Sequence, residues 1–356
     1  MPRVVWVSAP RPGVHDSRIG RLARRPPSDS ITHRAVFSST IVPTICRPTL
    51  SRAVHSVLDQ VLEEDDFEVI VVNDSGEPLP SADWHSSPRV RVIDTQRRER
   101  SVARNTGAAT ARGRYLHFLD DDDWLVPGAL RTMWELAQRS PDAGWLYGST
   151  RVADRQDRPL LQLRHGLQGN AFTPVMAGEW IPLQASFIKA DAFFAVGGFA
   201  PTLSGPEDVD LCRRVLLRGQ LAGTAADVAW IAMGREGSST DYDRHASASR
   251  RARERILDQP GVATRLRASA TSPEWLARIV RIYLTSAVWN VQHRRGFTAA
   301  SRLVFAVLSL VQSGGYVLVP DYWRAVATAY RSHTFERGLR ASCAGRDPMR
   351  SSAQSR

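Results

Sequence analysis

The run FEVIVV at residues 67–72 carries apolar, mostly β-branched side chains with almost no polar alternation. A strand of that kind is buried on both faces, so it needs helices above and below and favours a parallel sheet. Its surroundings agree. AVFSSTIVPT (35–44) reads as a first strand ending at Pro43. Leu50, Ala53, Val54, Val57, Leu58, Val61 and Leu62 follow at the spacing of one helix face. VRVID (90–94) is a third strand, RERSVARNTGAATARG a small-residue helix stopped at Gly113, and YLHFL (115–119) a fourth strand. PGALRTMWELAQRS then reads as a helix with proline at its start. Strand and helix alternate through residue 140, and a parallel α/β sheet is the economical answer.

Ligands of such sheets bind outside the carboxyl ends of the strands. Asp74, in the turn NDSG, and the tetrad Asp120–Asp123 both fall at that edge. Two carboxylates about 4 Å apart repel by roughly 1 kcal/mol in water and about 4 kcal/mol at an effective dielectric near 20. Open water, a helix N-terminus, arginines or a metal cation could offset that. A solvated acidic turn capping the helix near Pro127 is the plain reading. A metal-bound diphosphate is the functional one: Mg²⁺ or Mn²⁺ takes one or two carboxylates and fills its shell with phosphate oxygens and water. Asp120 and Asp122, two apart, could supply them.

After residue 145 the pattern changes. WLYGSTRVAD looks like a strand, GEWIPLQASFIKADAFFAVGGF like a strand, short helix and turn, SGPEDVDLCRRVLLRG like a helix, and VAWIAM like a late strand. From about 246 the chain is helical and arginine-rich, with apolar stripes such as Ile279, Ile282, Tyr283, Ser286 and Trp289. The formal charge is +11 and the pI about 10.4, nearly all from arginine; Lys189 is the only lysine. The excess favours an anionic partner without choosing one. The basic residues are scattered and no aromatic-interleaved basic patch occurs, so nucleic acid is not expected as a partner. Cys46, Cys212 and Cys343 are few and far apart, which fits neither a disulfide framework nor a zinc site and suits a reducing compartment. VVWVSAP is too short for a signal-peptide core. LVFAVLSLVQSGGYVLV (303–319) is apolar but interrupted by Gln312, Ser313, Gly314 and Gly315, and no transmembrane helix is expected there.

Five motifs in order, TIVPTICRPTLSRAVHSVLDQ, FEVIVVNDSG, RSVARNTGAATARGRYLHFLDDDDW, WIPLQASFIKADAFFAVGGF and EDVDLCRRVLLRG, make the chain resemble the inverting family 2 glycosyltransferases over residues 36–235. The resemblance implies an α/β fold of the GT-A type, a Rossmann-like, mostly parallel sheet flanked by helices, here with a helical C-terminal extension. The expected organisation is a disordered segment at 1–34, a GT-A domain at 35–240, a helical extension at 241–335 and a disordered tail at 336–356.

The resemblance also implies roles. Asp120 and Asp122 fall on the D-x-D metal and diphosphate motif, with Asp121 between them on the substrate side. Pro43, Thr44, Asp74 and Arg104 fall where base, ribose and phosphate are held. Asp208 falls on the catalytic base of the E-D motif. Trp180 and Gln184 fall in a segment that often lines the acceptor side. The residues themselves leave alternatives: Arg104 as a helix-surface arginine, Asp74 in an Asx turn, Trp180 and Gln184 as packing beneath a loop. Glu207 could serve the site or close a capping box over Ser204-Gly-Pro-Glu207. Asp210 is expected to support helix or site geometry. The implied cofactor is Mg²⁺ or Mn²⁺. The implied partners are a nucleoside-diphosphate sugar donor and a saccharide or lipid-linked acceptor.

The chain departs from the pattern. Ile45-Cys46 stands where Tyr-Asn is frequent, Asn73 replaces a frequent aspartate, and Cys212 stands where an aromatic is common. A non-catalytic sugar-nucleotide binder and a nucleotidyltransferase on a related fold are the competing readings, although VPTICRP lacks the glycines of a phosphate loop. The apolar and arginine-rich helices of the last third are expected to pack on the GT-A domain, to make peripheral contact with a membrane, or both on different faces; the expected location is the cytoplasm, with membrane contact placing the chain at the inner face.

Overall fold

The structure is a computed structural model and describes residues 36–330, apart from 64, 97–98, 155, 165, 204, 233–241 and 271 and the side chains of 242–246. The expected disordered ends, and Ser204 of the expected capping box, lie outside the described residues. The strands are β1 (Val36–Thr44), β2 (Asp66–Asn73), β3 (Val90–Asp94), β4 (Tyr115–Phe118), β5 (Trp124–Leu125), β6 (Ala143–Ala153), β7 (Pro159–Leu163), β8 (Ser186–Lys189) and β9 (Gln220–Ala232). The helices are α1 (Leu50–Leu58), α2 (Arg100–Thr110), α3 (Ala129–Arg139), α4 (Phe172–Ala177), α5 (Ala190–Ala195), α6 (Glu207–Arg218), α7 (Tyr242–Leu257), α8 (Val262–Ala268), α9 (Pro273–Gln292), α10 (Gly296–Ser313) and α11 (Pro320–Ala327).

One sheet runs in the order β3-β2-β1-β4-β8-β6-β9-β5, with β7 paired to β6. Its first half, β3 to β4, is parallel, as the alternation of strand and helix requires. Beyond β4 the sheet is mixed: β8 is antiparallel to β4 and β6, while β6 and β9 are parallel. Alternate residues of the central strands enter separate cores. Ile41, Ile70 and Val72 face one, with Phe118, Trp145 and Leu211; Val42, Val69 and Val71 face the other, with Val57 and Met133. α2 lies so close to β1 that a Cβ on Gly107 would sit 2.5 Å from Ile41 Cγ2. Glu68, the one charge in the buried strand run, is absorbed by Ser39, Arg112 and Arg91.

Two local readings change. The helix after β4 starts at Ala129 rather than Pro127, because Gly128 adopts φ +80° at its N-cap. The segment around residues 312–313 does not interrupt α10, since Ser313 donates back to the Ser309 carbonyl and also bonds Tyr322; the break comes at Gly314, with φ +53°. Residues Gly296–Leu318 are therefore, among the described residues, one segment long and apolar enough to cross a membrane by length and composition.

The C-terminal helices share the core of the sheet: Ile256, Leu266, Ile279, Ile282 and Tyr283 pack in the same cluster as Trp145 and Leu211. α10 is amphipathic in the inverse sense. Ala299, Arg302, Ala306, Ser309 and Ser313 are buried, while Phe297, Val304, Val307, Leu308 and Val311 are exposed, Val311 by 73%.

Candidate active site

The carboxyl ends of β1, β2 and β4 meet around the aspartate tetrad. The loop after β1 turns sharply, with Cys46 at φ +65° and its N–H donated to Thr44 Oγ1 at 3.0 Å. Asp121, almost wholly buried, holds that loop: it accepts from Thr44 Oγ1 at 2.6 Å and from Arg47 Nη1 at 2.5 Å. Pro43 pairs with Val72 one residue before the end of β1 at Thr44, and Ile45 projects from the loop, 54% exposed. The Cys46 thiol points to Ser75 Oγ at 3.2 Å, so Cys46 ties the β1 loop to the β2 turn. Asn73 braces the same turn, donating to the Glu77 carbonyl and to Asp94.

Asp74 is buried and accepts from Thr95 Oγ1 and from the Glu99 N–H, both at 2.6 Å. Glu99 in turn caps α2 by accepting from the N–H groups of Ser101 and Val102. The first turn of α2 is thereby anchored to the end of β2. That fixes Arg100 and Arg104, four residues apart and so on one helix face. Arg104 is 3% exposed; its Nη2 donates to Asp120 Oδ1 at 2.6 Å and its Nη1 to Glu207 Oε1 at 3.0 Å. Arg100 reaches the same Glu207 oxygen at 3.3 Å.

The carboxylates of the tetrad diverge. Asp121 serves the loop. Asp120, Asp122 and Asp123 present oxygen atoms all within 4.8 Å of one another. Burial works against the charge of Asp120, but Arg104 and Arg100 outweigh it and hold its carboxyl below the usual range. Burial and the charge of Asp120 push Asp122 up. Asp123, which accepts from the Ala232 N–H at 2.8 Å, is pushed well up by burial and by Asp120 and Asp122. Gln184 donates to Asp120 Oδ2 at 3.3 Å. Its backbone carbonyl accepts from His117 Nε2 at 2.9 Å, and the other ring nitrogen meets Thr40 Oγ1 at 3.0 Å. Burial lowers His117 to about 4, so the ring is neutral and holds the Gln184 segment as a neutral donor.

α6 brings the remaining acids. Glu207 Oε2 accepts from the Gly205 N–H at 2.9 Å while Oε1 takes the two arginines, so Glu207 both closes the helix start and joins the site. Asp208, half-buried, accepts from the Val209 N–H at 2.7 Å and faces Trp180 Nε1 at 3.4 Å. Burial first, and then the neighbouring charge of Glu207, push it up to about 6. Asp210 is paired to Arg214 at 2.6 Å, and Arg214 donates to the carbonyls of Val196 and Gly198, which is a structural role.

Residues 39–202 match glycosyl transferase family 2. That match covers a little under half of the chain, and glycosyltransferases are among the proteins the chain is similar to. A Haemophilus influenzae relative named an uncharacterized glycosyltransferase is 27% identical over 189 residues, 50% of this chain and 61% of that protein. The poly(ribitol-phosphate) β-N-acetylglucosaminyltransferase TarP of Staphylococcus aureus is 32% identical over 108 residues, 29% of this chain and 33% of TarP. The chain therefore spans less than two-thirds of either relative. The crystal structure of S. aureus TarS 1–349 in complex with UDP-GlcNAc superimposes with a TM-score of 0.50 at 14% identity, covering 81% of this chain and 92% of that one. The fold is GT-A, with a mixed sheet and a helical C-terminal region.

The residues picked out in the sequence do converge. Asp120 is joined to Arg104 and Gln184, and Arg104 to Glu207, the neighbour of Asp208, by direct contacts; Thr44 is bonded to Asp121, the next residue after Asp120. Arg104 is not the helix-surface arginine of the plain reading. Asp74 has its carboxylate engaged by Thr95 and Glu99, while the Asx bond of this turn is made by Asn73, which accepts from the Ser75 N–H at 3.2 Å. Arg47 and Arg100 were not foreseen, and Asp123 was placed at the site only as a member of the tetrad, without a role. Arg100 had a signal, since it stands one helical turn before Arg104. Asp123 had one too, since it extends the tetrad into the strand β5 that the sequence reading left out. Arg47 had none beyond its nearness to Thr44.

Proposed function

We propose that this chain transfers a sugar from a nucleoside-diphosphate sugar to an acceptor hydroxyl with inversion at the anomeric carbon. The observation that carries the proposal is the ion-pair chain Asp120–Arg104–Glu207, which ends one residue from Asp208. It links a phosphate-side acid cluster to a carboxylate suited to general-base work. With its carboxyl pushed up to about 6, Asp208 is ionised at neutral pH and still basic enough to accept a proton in the transition state. Asp208 takes the proton of the acceptor hydroxyl as that oxygen attacks the anomeric carbon. The bond from that carbon to the diphosphate breaks, and the departing diphosphate keeps the electron pair. Arg104, Arg100 and Arg47 are the cations of this chain that face the growing negative charge. Thr44, Pro43 and Asp74 serve the nucleotide, and Trp180 and Gln184 the sugar and acceptor.

Asp120, Asp122 and Asp123 fit a hard cation. They offer oxygen donors only, within 4.8 Å, and two of them are held high by burial and mutual repulsion, which a cation would relieve. Mg²⁺ or Mn²⁺ held by Asp120 and Asp122 would neutralise charge on the departing diphosphate. The deciding experiment is a panel of sugar nucleotides with Mn²⁺ and a read-out of nucleoside diphosphate release and product anomer. Release from none of them by folded protein, or a retained anomeric configuration, overturns the reading.

We further propose a saccharide or lipid-linked acceptor of a cell-surface polymer, reached from the cytoplasm at the inner face of a membrane. The exposed apolar stripe of α10 supports this, because no charge interrupts it between Arg302 and Asp321. Charge complementarity selects an anionic lipid surface as its occupant. Residues 250–330 carry twelve arginines against four acids, and Arg267 borders Leu308 and Val311 of the stripe. Apolar area beside cations is what an interfacial helix requires.

A further inference from the structure

Tyr330, three residues past α11, returns to the segment that carries Trp180. The end of α11 is held by two arginines of α9 that stand three residues apart and so share a helix face. Arg278 donates to the carbonyls of Ala325 and Thr328, both at 2.9 Å, and Arg281 to those of Val326 at 3.0 Å and Ala327 at 2.7 Å. These bonds fix where the chain leaves the helix. The Tyr330 ring then packs on Trp275 at 5.5 Å between centroids, with the Arg278 guanidinium over it at 5.2 Å. Gly178 lies against the same ring, where a Cβ would sit 3.6 Å from Tyr330 Cδ1. The Tyr330 hydroxyl donates to Glu179 Oε2.

Glu179 is 3% exposed and stands between Met176 and Ile181, both buried. A buried carboxylate is tolerated where it is hydrogen-bonded, and bonds to a charged group are the strong ones. The Glu179 N–H also donates to the Pro174 carbonyl of α4 at 2.9 Å. Backbone and side chain of Glu179 are therefore both tied, and the direction of the next residue goes with them. That residue is Trp180, whose Nε1 donates to Asp208 Oδ2 at 3.4 Å. At that length the contact is near the outer limit of a hydrogen bond, so a few tenths of an ångström at Trp180 decide whether it forms.

We propose that Tyr330 is a positioning residue for the reaction: through Glu179 it holds the Trp180 indole against Asp208, and so sets the direction in which that carboxylate meets the acceptor hydroxyl. The inference rests on the reading of Asp208 as general base. Arg278 and Arg281 act further back, by fixing the point at which the chain leaves α11.

The test is fluorine NMR of the full-length protein carrying a ring-fluorinated tryptophan, titrated through the range around pH 6 without substrate or metal. The Trp180 resonance is the one absent from Trp180→Phe, and its titration step is the one absent from Asp208→Asn. Trp84 and Trp289, stacked on His85 and His293, serve as references within the same spectra. In the wild type Trp180 is expected to titrate at about 6, to which burial first and then the charge of Glu207 push Asp208. Arg100 and Arg104 of α2 and Cys212 and Arg213 of α6 also act on Asp208, and Tyr330→Phe changes none of them. That variant removes one hydroxyl and should move the step to higher pH by about half a unit to one unit, because a carboxylate that loses a hydrogen bond is protonated more readily. Val57→Ala, in the core on the other face of the sheet, should lower the melting temperature and leave the step in place. The proposal is overturned if Trp180 does not titrate in the wild type, if the step in Tyr330→Phe stays or moves to lower pH, or if Val57→Ala moves it as far. The titration needs no turnover, so its outcome is separate from the kinetics of Asp208→Asn, on which the general-base reading stands or falls.

Discussion

Arg104 and Glu207 form an ion pair of 3.0 Å between α2 and α6 in which both side chains are almost wholly buried. Removing one partner of such a pair leaves an uncompensated buried charge and costs about 3–5 kcal/mol. Arg104→Met is therefore expected to lower the denaturation midpoint strongly. Glu207→Gln has a second read-out. The Glu207 charge is part of what holds Asp208 high, so its removal should move the acid limb of the rate profile to lower pH. A limb that stays in place in Glu207→Gln uncouples the two residues.

Asp208 gives the pH dependence of the reaction. Its carboxyl is pushed up to about 6, and the base works only when ionised, so kcat/KM should climb as pH rises through about 6 and level off above. Asp208→Asn should reduce turnover by about two to four orders of magnitude, the usual worth of a general base, with donor affinity little changed. An active Asp208→Asn protein returns the residue to capping α6.

Asp122 tests the cation. Asp122→Ala should bind a nucleoside diphosphate equally with and without Mn²⁺, whereas the wild type should bind more tightly with it. Because burial and Asp120 hold Asp122 high, the wild-type advantage should shrink as pH falls and the carboxylate protonates. Calorimetry across that range, with circular dichroism for the fold, decides it. An unchanged Mn²⁺ effect in the variant removes Asp122 from the metal site.

The stripe on α10 is tested without truncation. The wild type should co-sediment with anionic vesicles, less so at high salt, and the exposed pair Val307→Glu and Val311→Glu should abolish this while the melting temperature holds. Equal sedimentation with neutral and anionic vesicles removes the charge argument. If the double variant instead turns a dimer into a monomer in solution, the stripe is an interface between two copies.

Much of this was legible in the sequence, for identifiable reasons. FEVIVV and its neighbours set the parallel half of the sheet because burial on both faces leaves little choice of residue. The motifs located Asp120, Arg104 and Asp208. What stayed hidden depended on distant partners. Nothing local marks Arg104 as buried, because its burial rests on Glu207, more than a hundred residues away. The mixed half of the sheet escaped because β5 is two residues long and is defined by its pairing with β9. The inverse face of α10 escaped because periodicity reports that a helix has two sides and not which one meets the protein.

The shared core of the sheet and the C-terminal helices has a consequence for how the molecule can vary. Ile256, Leu266, Ile279 and Tyr283 fill space against Trp145 and Leu211, so the last third is no detachable tail. Heating should melt the chain in one cooperative step, and cutting between β9 and α7 should yield aggregation rather than a smaller enzyme. New acceptor specificity in such a chain has to arise by side-chain replacement on helices that stay in place, since exchanging the helices as a cassette would remove part of the interior that keeps Asp208 aligned.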